Sequence, residues 1–382
     1  MRKLALVFVL VAACGDDGDS TGIREDCNPL GGQGCMLPWP SMAYATADSS
    51  TATGFRIDIP AGAMPINVDG IAIAPTSLNR WDGFSAIGPI LAMFDNGVSP
   101  TGLPSHKNPD ESLAANSPIV LISMKTGQRV PVFAEVDQNT MAVEKRALII
   151  RPLARLETSS RYAVAIRTSV KSADGSDLPI SPGFAAIRDG RSFSHKRFDA
   201  LAARYTEIFS ALATAGVDKS ELALAWDFVT VSDEFLRSDL TIMREAALGA
   251  IGAEGANLTF TATVKPNTAQ TYKRYLGTFK SPDFLTAGET DGSVMRRDAA
   301  GNPQMQGMRD ANFAAIIPKC VETEPLPRPT IIFGHGLFGS AEGYLDDNFV
   351  ADLAQQHCLV IIAGDFIGLT ERQFPVIPLA IN

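Results

Sequence analysis

Two short apolar runs near the end of the chain, separated by a segment of helical periodicity, restrict the possible folds more than any other feature. The runs are Thr330–Phe333 and Leu359–Ala363, and apolar residues recur at helical spacing over Gly343–Gln356 between them. Strand, helix and strand at this spacing are typical of a βαβ unit, whose two strands are parallel. The sequence therefore predicts a parallel sheet in this part of the chain.

The region from residue 51 to about 190 has a different pattern. Short alternating or apolar segments are separated by turn signals such as Asp174-Gly175. Short strands at regular spacing favour a β-sandwich of the immunoglobulin-like kind. The predicted strands are residues 55–59, 118–122, 129–136, 146–151 and 161–167.

Residues 191–320 combine helical and strand patterns. Helical periodicity predicts one helix over 198–212, with Ser194 as its N-cap, and a second over 235–247. The polar, turn-rich segment Glu289–Asp310 indicates a hairpin or an excursion. Strands are predicted over residues 224–231, 258–264 and 272–279.

The first residues resemble the leader of a bacterial lipoprotein. Arg2 and Lys3 precede an apolar run, Leu4–Ala13, that is too short to span a bilayer. Leu10 to Cys14 looks like a lipobox, which implies lipid on Cys14 and stable membrane anchoring by two or more acyl chains. The alternative is an ordinary secretory signal in which the cysteine is incidental.

The residues after Cys14 are polar and acidic as far as Gly22, which is typical of a tether. Gly15, rather than aspartate, follows the cysteine, and this favours the outer membrane or the cell surface. The net charge of −9 makes nucleic acid an unsuitable partner. The membrane is the expected partner, through the lipid anchor on Cys14.

Four cysteines remain beside Cys14, an even number that suits an oxidising compartment. We expect Cys27 with Cys35 to close a small loop, and Cys320 with Cys358 to join a helix to the sheet edge. A metal site is the alternative, but the cysteine spacings match no zinc pattern and His357 is the only histidine beside them. The sequence predicts no metal and no cofactor.

A small-residue loop follows the first apolar run and carries the candidate chemistry. It contains His335, Gly336 and Leu337, and a His-Gly pair in this place looks like the oxyanion loop of α/β-hydrolases. The Leu337 amide would stabilise a developing oxyanion, and Asp365 ends the next strand. The alternative is a tight strand-to-helix turn in another α/β fold.

The order of several motifs resembles a family of bacterial extracellular lipases and esterases, some of them surface lipoproteins described as virulence-type lipases or lysophospholipases. In that family an exported β-rich domain precedes an α/β-hydrolase domain. The resemblance implies hydrolysis of lipid or lysolipid esters through an acyl-serine intermediate. It is carried by Ile149–Leu153, Arg161–Ile166, Trp226–Phe228 and Gly334–Leu337.

The catalytic residues of such an enzyme are not found in this sequence. The nucleophile motif Gly-x-Ser-x-Gly is absent, since Gly83–Ile87 lacks the last glycine and Gly339–Gly343 has its serine one place early. His335 belongs to the loop, His106 and His195 are expected at the surface, and His357 ends a helix. We therefore expect a hydrolase domain truncated before its nucleophile and inert alone.

Together these features predict a multidomain chain of mixed α+β and α/β class. It is expected to be the N-terminal part of a secreted ester hydrolase, and the alternative is a non-catalytic surface lipoprotein whose β domain binds a partner or an envelope component. The expected segments are a leader (1–13), a tether and loop (14–50), a β-sandwich (51–190), a mixed α/β region (191–320) and an incomplete α/β-hydrolase domain (321–382).

Overall fold

The computed structural model describes residues 22–32, 34–67, 70–290, 292–323, 327–368 and 370–376. The predicted leader, Cys14 and the first part of the tether lie outside the described residues. The chain divides into two compact units, Met1–Asp233 and Glu234–Asn382. The described residues form four β-sheets and seven α-helices, so the protein is of mixed α and β class, as the sequence predicted.

The first unit is mainly strand. Its helices are α1 (Pro182–Asp189), α2 (Phe198–Ala202) and α3 (Tyr205–Thr214). Its strands are β1 (Ala45–Ala47), β2 (Phe55–Ile57), β3 (Ile90–Ala92), β4 (Ile119–Ser123), β5 (Val132–Val136), β6 (Leu148–Pro152), β7 (Arg161–Arg167) and β8 (Leu222–Val229). Short 3-10 helices lie at Met42–Tyr44, Ala61–Ala63, Pro75–Arg80, Pro109–Leu113, Val143–Lys145 and Lys219–Glu221.

Two antiparallel three-stranded sheets form the centre of this unit. Their strand orders are β3-β6-β5 and β4-β7-β8, and β1 pairs separately with β2. Ile150 of one sheet and Val164 of the other belong to one continuous hydrophobic core. Every residue of β8 is buried, which explains its uninterrupted apolar sequence Leu222–Trp226. Because β8 pairs with β7, residues 222–229 belong to the same unit as the strands before them.

The helix predicted over 198–212 is instead two helices. α2 ends at Ala202 and α3 begins at Tyr205, and the predicted N-cap Ser194 lies outside both. Arg204, between the helices, donates to the buried Asp227 carboxylate of β8 with its Nη2 2.5 Å from Oδ2. A long-range ion pair at the junction is a tertiary feature, so helical periodicity alone did not indicate it.

The second unit contains both strands and helices. Its helices are α4 (Asp233–Ile251), α5 (Cys320–Thr323), α6 (Ala341–Leu345) and α7 (Asn348–His357). Its strands are β9 (Phe260–Lys265), β10 (Thr271–Asp283), β11 (Gly307–Pro318), β12 (Thr330–Gly334) and β13 (Val360–Gly364). Short 3-10 helices lie at Ala253–Gly255 and Glu371–Val376.

These strands form one sheet in the order β12-β13-β11-β10-β9. β12 and β13 are parallel, as the strand–helix–strand pattern predicted, whereas the other neighbours are antiparallel. The segment predicted as a hairpin or an excursion, 289–310, connects the long strands β10 and β11 and contributes the first residues of β11. The parallel pair therefore lies at one side of a mixed sheet.

The predicted helix over 343–356 is also divided. α6 ends at Leu345, and Asp347 starts α7 by accepting a hydrogen bond from the Phe349 amide at 2.8 Å. Side chains of α6 and α7 pack with Ile316 of β11 and Ile361 of β13 in a small second core. Both helices therefore cover one face of the sheet, whereas Ile332 of β12 points away from that core and is 88% exposed.

Two disulfides are present and join the cysteines that we expected to pair. Cys27–Cys35 closes a short loop at the start of the first unit. Cys320–Cys358 joins the first residue of α5 to the residue that follows α7. The Cys320 amide also donates to Gln355 Oε1 of α7 at 3.1 Å, so the end of β11 and the end of α7 are held together. No helix among the described residues has the length and apolarity needed to cross a bilayer.

Candidate functional site

The loop between β12 and α6 lies at the carboxyl end of a parallel strand pair. In open sheets with parallel strands, ligands bind outside these ends, because the loops that leave neighbouring strands meet there. Here the loop after β12 contains His335 and the loop after β13 contains Phe366, and their rings are 4.9 Å apart between centroids. The structure thus brings the predicted loop beside the segment that carries Asp365.

His335 is buried and both of its ring nitrogens are engaged. Its Nε2 lies 2.9 Å from the Phe366 amide, which can only donate, so this nitrogen is the acceptor. Nδ1 lies 2.8 Å from the carbonyl oxygen of Gly336, so in the neutral ring Nδ1 carries the proton and donates it there. This imidazole therefore holds the loop in shape and has no free nitrogen with which to act as a base.

The backbone of the loop turns sharply after His335. The Gly339 amide donates to the Gly336 carbonyl at 3.0 Å, which closes a turn around Leu337 and Phe338. A Cβ on either glycine would lie 2.5 Å from the Tyr344 side chain, so only glycine allows this close approach. Phe338 has a φ of +57°, a left-handed conformation that non-glycine residues seldom adopt outside tight turns.

Leu337 is at the tip of this turn and its side chain is exposed. Its backbone N–H has no acceptor among the described residues, whereas the Gly339 N–H is used to close the turn. An N–H group held at a fixed position without an internal acceptor can donate to an oxygen of a bound molecule. The loop therefore has the geometry of a donor site at the carboxyl end of β12.

Asp365 connects three segments beside this loop. Its Oδ1 accepts from the Ala341 amide at 2.8 Å, at the start of α6, and its Oδ2 accepts from Asn312 at 3.1 Å and from Arg372. Burial opposes ionisation, but the hydrogen bonds from Ala341, Asn312 and Arg372 together lower the pKa of Asp365. Arg372 is itself paired with Glu289. Asp365 is therefore an ionised structural carboxylate.

A groove of about 690 Å³ adjoins Asp365. Its lining includes hydroxyl and amide side chains from the sheet, Thr261, Thr278 and Asn312, together with apolar ones, among them Leu276 and Phe313. Ser340 lines the same groove, but its hydroxyl caps α6 by accepting from the Gly343 amide at 3.1 Å. The groove thus has a mixed polar and apolar lining and lies beside the turn, without an activated nucleophile among its described lining residues.

The other histidines do not complete a catalytic arrangement. His195 Nε2 lies 3.1 Å from the Arg24 carbonyl, and His106 has an aromatic contact with Phe133, both in the first unit. His357 is the exposed last residue of α7. Within the described residues, no histidine is hydrogen bonded to a serine, threonine or cysteine, and no group of three or more His, Cys, Asp or Glu could hold a metal ion.

The remaining motifs of the family resemblance lie in or directly after strands β6, β7 and β8 of the first unit. Trp226 donates from Nε1 to the Pro40 carbonyl at 2.7 Å, and Phe228 stacks on Tyr162 with 5.8 Å between centroids. Asp227 accepts from Arg161 Nε at 2.6 Å. These residues are structural. Comparison with protein-family models and with curated proteins gives no match for this chain.

Proposed function

We propose that this chain is an exported lipoprotein, anchored by Cys14, that supplies the oxyanion loop of a serine carboxylic-ester hydrolase. The observation that carries the hydrolase part is the Leu337 N–H, which has no acceptor among the described residues and sits in a turn locked by buried His335. In ester hydrolysis the attacked carbonyl oxygen gains negative charge, and a preorganised N–H would stabilise that charge.

The arrangement of the second unit supports this assignment. The loop follows a parallel strand, and α6 begins directly after it, as in the strand–loop–helix order of α/β-hydrolases. We also propose that the first unit is a β-sandwich of the immunoglobulin-like kind, because it has two antiparallel sheets with one shared core. A β-rich exported unit followed by a hydrolase unit is the order in the lipase and esterase family that the motifs resemble.

The nucleophile and the base are not among the described residues, so the proposal assigns binding of the oxyanion to this chain and not the complete reaction. Among the described strands, β12 pairs only with β13, which leaves its other edge unpaired. A further parallel strand beside β12 would end next to Leu337, because the carboxyl ends of parallel strands share one edge. A nucleophile has to lie at this place, because it attacks the carbon of the carbonyl group whose oxygen accepts a hydrogen bond from the Leu337 amide.

The test compares two substitutions at one residue. We would sequence the locus beyond the codon for Asn382, express the whole reading frame, and measure p-nitrophenyl ester hydrolysis for Leu337→Pro and Leu337→Ala. Proline removes the N–H and should lower kcat by about 10² to 10³, whereas alanine retains the N–H and should change kcat little. Equal effects of the two substitutions would contradict a role for this amide.

A second candidate function is a non-catalytic surface lipoprotein whose β-rich unit binds a partner or an envelope component. It is favoured by the lack of a hydrogen-bonded serine–histidine pair within the described residues. This alternative would be supported by a stop codon after Asn382 with no hydrolase sequence beyond it, together with no ester hydrolysis by the protein. Ester hydrolysis by the present chain, abolished by replacing one serine, would instead show that it is an enzyme by itself.

A further inference from the structure

An exposed hairpin projects from the first unit and carries isoleucine on its surface. We name it the isoleucine hairpin and define it by residues 65–67 and 70–74. Ile66, Ile71 and Ile73 are 64%, 54% and 56% exposed, although isoleucine is among the residues most often buried. Ile71 and Ile73 lie on one face of the hairpin and Ile66, which pairs with Ala72, lies on the other. Large apolar side chains exposed together to water are a recurrent feature of surfaces that bind a partner or a membrane.

The hairpin is held in a defined conformation. The Asn67 backbone amide donates a hydrogen bond to the Ile71 carbonyl at 2.9 Å, and the Ile71 backbone amide donates one to Asn67 Oδ1 at 2.8 Å. Its base is fastened by Asn79, whose side-chain amide accepts from the Ile59 amide and donates to the Ile59 carbonyl, both at 2.9 Å. The apolar side chains are therefore presented by an ordered element and would lose little backbone entropy on binding.

The hairpin lies where the chain enters the first unit from its proposed lipid anchor. Arg24 donates from Nη2 to the carbonyl of Gly62 at 2.7 Å, three residues before the hairpin begins. Nine residues lie between Cys14 and Arg24, and the ten Cα–Cα steps from one to the other span at most about 35 Å when fully extended. A lipid on Cys14 would thus keep the base of the hairpin close to the membrane surface.

The composition around the hairpin also suits an interfacial position. Between Pro60 and Asn79 the only charged residue is Asp69, so few charges would have to leave water. We propose that the isoleucine hairpin inserts its three isoleucines into the interfacial layer of the bilayer and acts as a second, non-covalent anchor. The proposal rests on the proposed lipid anchor for its choice of occupant, because the anchor brings a lipid surface within reach.

The test uses the mature chain, from residue 14, with Cys14→Ser, so that binding does not depend on acylation. Sedimentation with phosphatidylethanolamine–phosphatidylglycerol vesicles should show binding, and Ile66→Ser/Ile71→Ser/Ile73→Ser should lower the partition coefficient at least about tenfold. A matched control, Ile87→Ser/Met141→Ser/Leu153→Ser, changes three other exposed apolar side chains of the same unit and should change it less than about twofold.

A second readout locates the contact. A solvatochromic dye on Ile71→Cys should shift to shorter wavelength when vesicles are added, whereas the same dye on Ile87→Cys should not. No vesicle binding by the parent chain, or equal losses in the two triple variants, would overturn the proposal. Loss of self-association instead of vesicle binding would identify a second copy of the chain as the occupant. Acylation of Cys14 is measured separately, so failure of the hairpin and failure of the anchor are distinguishable.

Discussion

The imidazole Nε2 of His335 accepts a hydrogen bond from the backbone amide of Phe366 at 2.9 Å. This bond joins the loop after β12 to the loop after β13, and the ring is buried while it does so. The two loops that end the parallel strand pair are therefore one connected structure. The position of the Leu337 amide depends on it, because the same ring also holds the Gly336 carbonyl.

Replacing His335 by alanine should destabilise the second unit. The substitution leaves the Phe366 amide without its acceptor and removes a buried ring, at an expected cost of about 1–3 kcal/mol. His357→Ala, at the exposed end of α7, is the control and should cost no more than about 0.5 kcal/mol. Amide hydrogen exchange of β12 and β13 in urea measures both variants. Equal exchange rates in the two variants would show that His335 does not fasten the loops.

Asp365 should make the stability of the second unit depend on pH in the acidic range. Its pKa is lowered in the folded protein, so its contribution is present above the unfolded value of about 3.9 and is lost as the pH falls through the lower folded value. Asp365→Asn should therefore be less stable than the parent at pH 7 by about 1–3 kcal/mol. The difference should shrink as the pH falls below the unfolded value. Exposed Asp352→Asn is the control, and a difference that grows in acid would contradict the role given to Asp365.

Asp227 should matter far more than Glu207, although both carboxylates contact Arg161. Asp227 is fully buried between Arg161 and Arg204, so Asp227→Ala removes the buried carboxylate from both, leaves Arg161 paired with the exposed Glu207, and should cost about 3–5 kcal/mol. Glu207 is exposed, and Glu207→Ala should cost less than about 1 kcal/mol. Tryptophan fluorescence in urea follows this unit selectively, because Trp39, Trp81 and Trp226 all lie in it. Comparable losses in both variants would refute a special role for the buried carboxylate.

The two disulfides should contribute unequally to the free energy of unfolding. The cysteines are 38 residues apart in Cys320–Cys358 and 8 apart in Cys27–Cys35, and loop-closure entropy rises with loop length. The chain-entropy model gives about 4 kcal/mol for the longer loop and roughly 2.5 kcal/mol for the shorter one. Cys320→Ala/Cys358→Ala should weaken hydrogen-exchange protection in the second unit and leave the tryptophan transition unchanged. A shift of that transition would mean that Cys320–Cys358 also stabilises the first unit.

Acylation of Cys14 is tested by metabolic labelling. Cells given radiolabelled palmitate should label the protein and retain it in the membrane fraction, because two or more acyl chains make anchoring stable. Cys14→Ser should remain unlabelled. It should be released from the membrane when Ile66, Ile71 and Ile73 of the isoleucine hairpin are also replaced by serine. Labelling that persists in Cys14→Ser would place the lipid elsewhere, and an unlabelled parent would favour the ordinary secretory signal.

Much of the second unit could be predicted because its signals are local. The apolar runs at 330–333 and 359–363 and the helical periodicity between them predicted a parallel pair, and the parallel pairing of β12 with β13 agrees. The break between α6 and α7 was missed, since Asp347 within a helical pattern does not reveal that it caps a new helix. Strand β11 was largely missed as well, because its first residues belong to a polar, turn-rich segment and its pairing with β10 is long-range.

The candidate site divides in the same way. The sequence by itself determined which residues form the loop, because a His-Gly pair after an apolar run is a short, local motif, whereas the number and position of the cysteines only indicated the two pairs that the structure then formed. Only the tertiary structure decided that His335 bonds to Phe366, that Asp365 joins Ala341, Asn312 and Arg372, and that Arg24 bonds to Gly62, three residues before the isoleucine hairpin. Periodicity and composition describe neighbours along the chain, whereas these contacts join residues that only folding brings together.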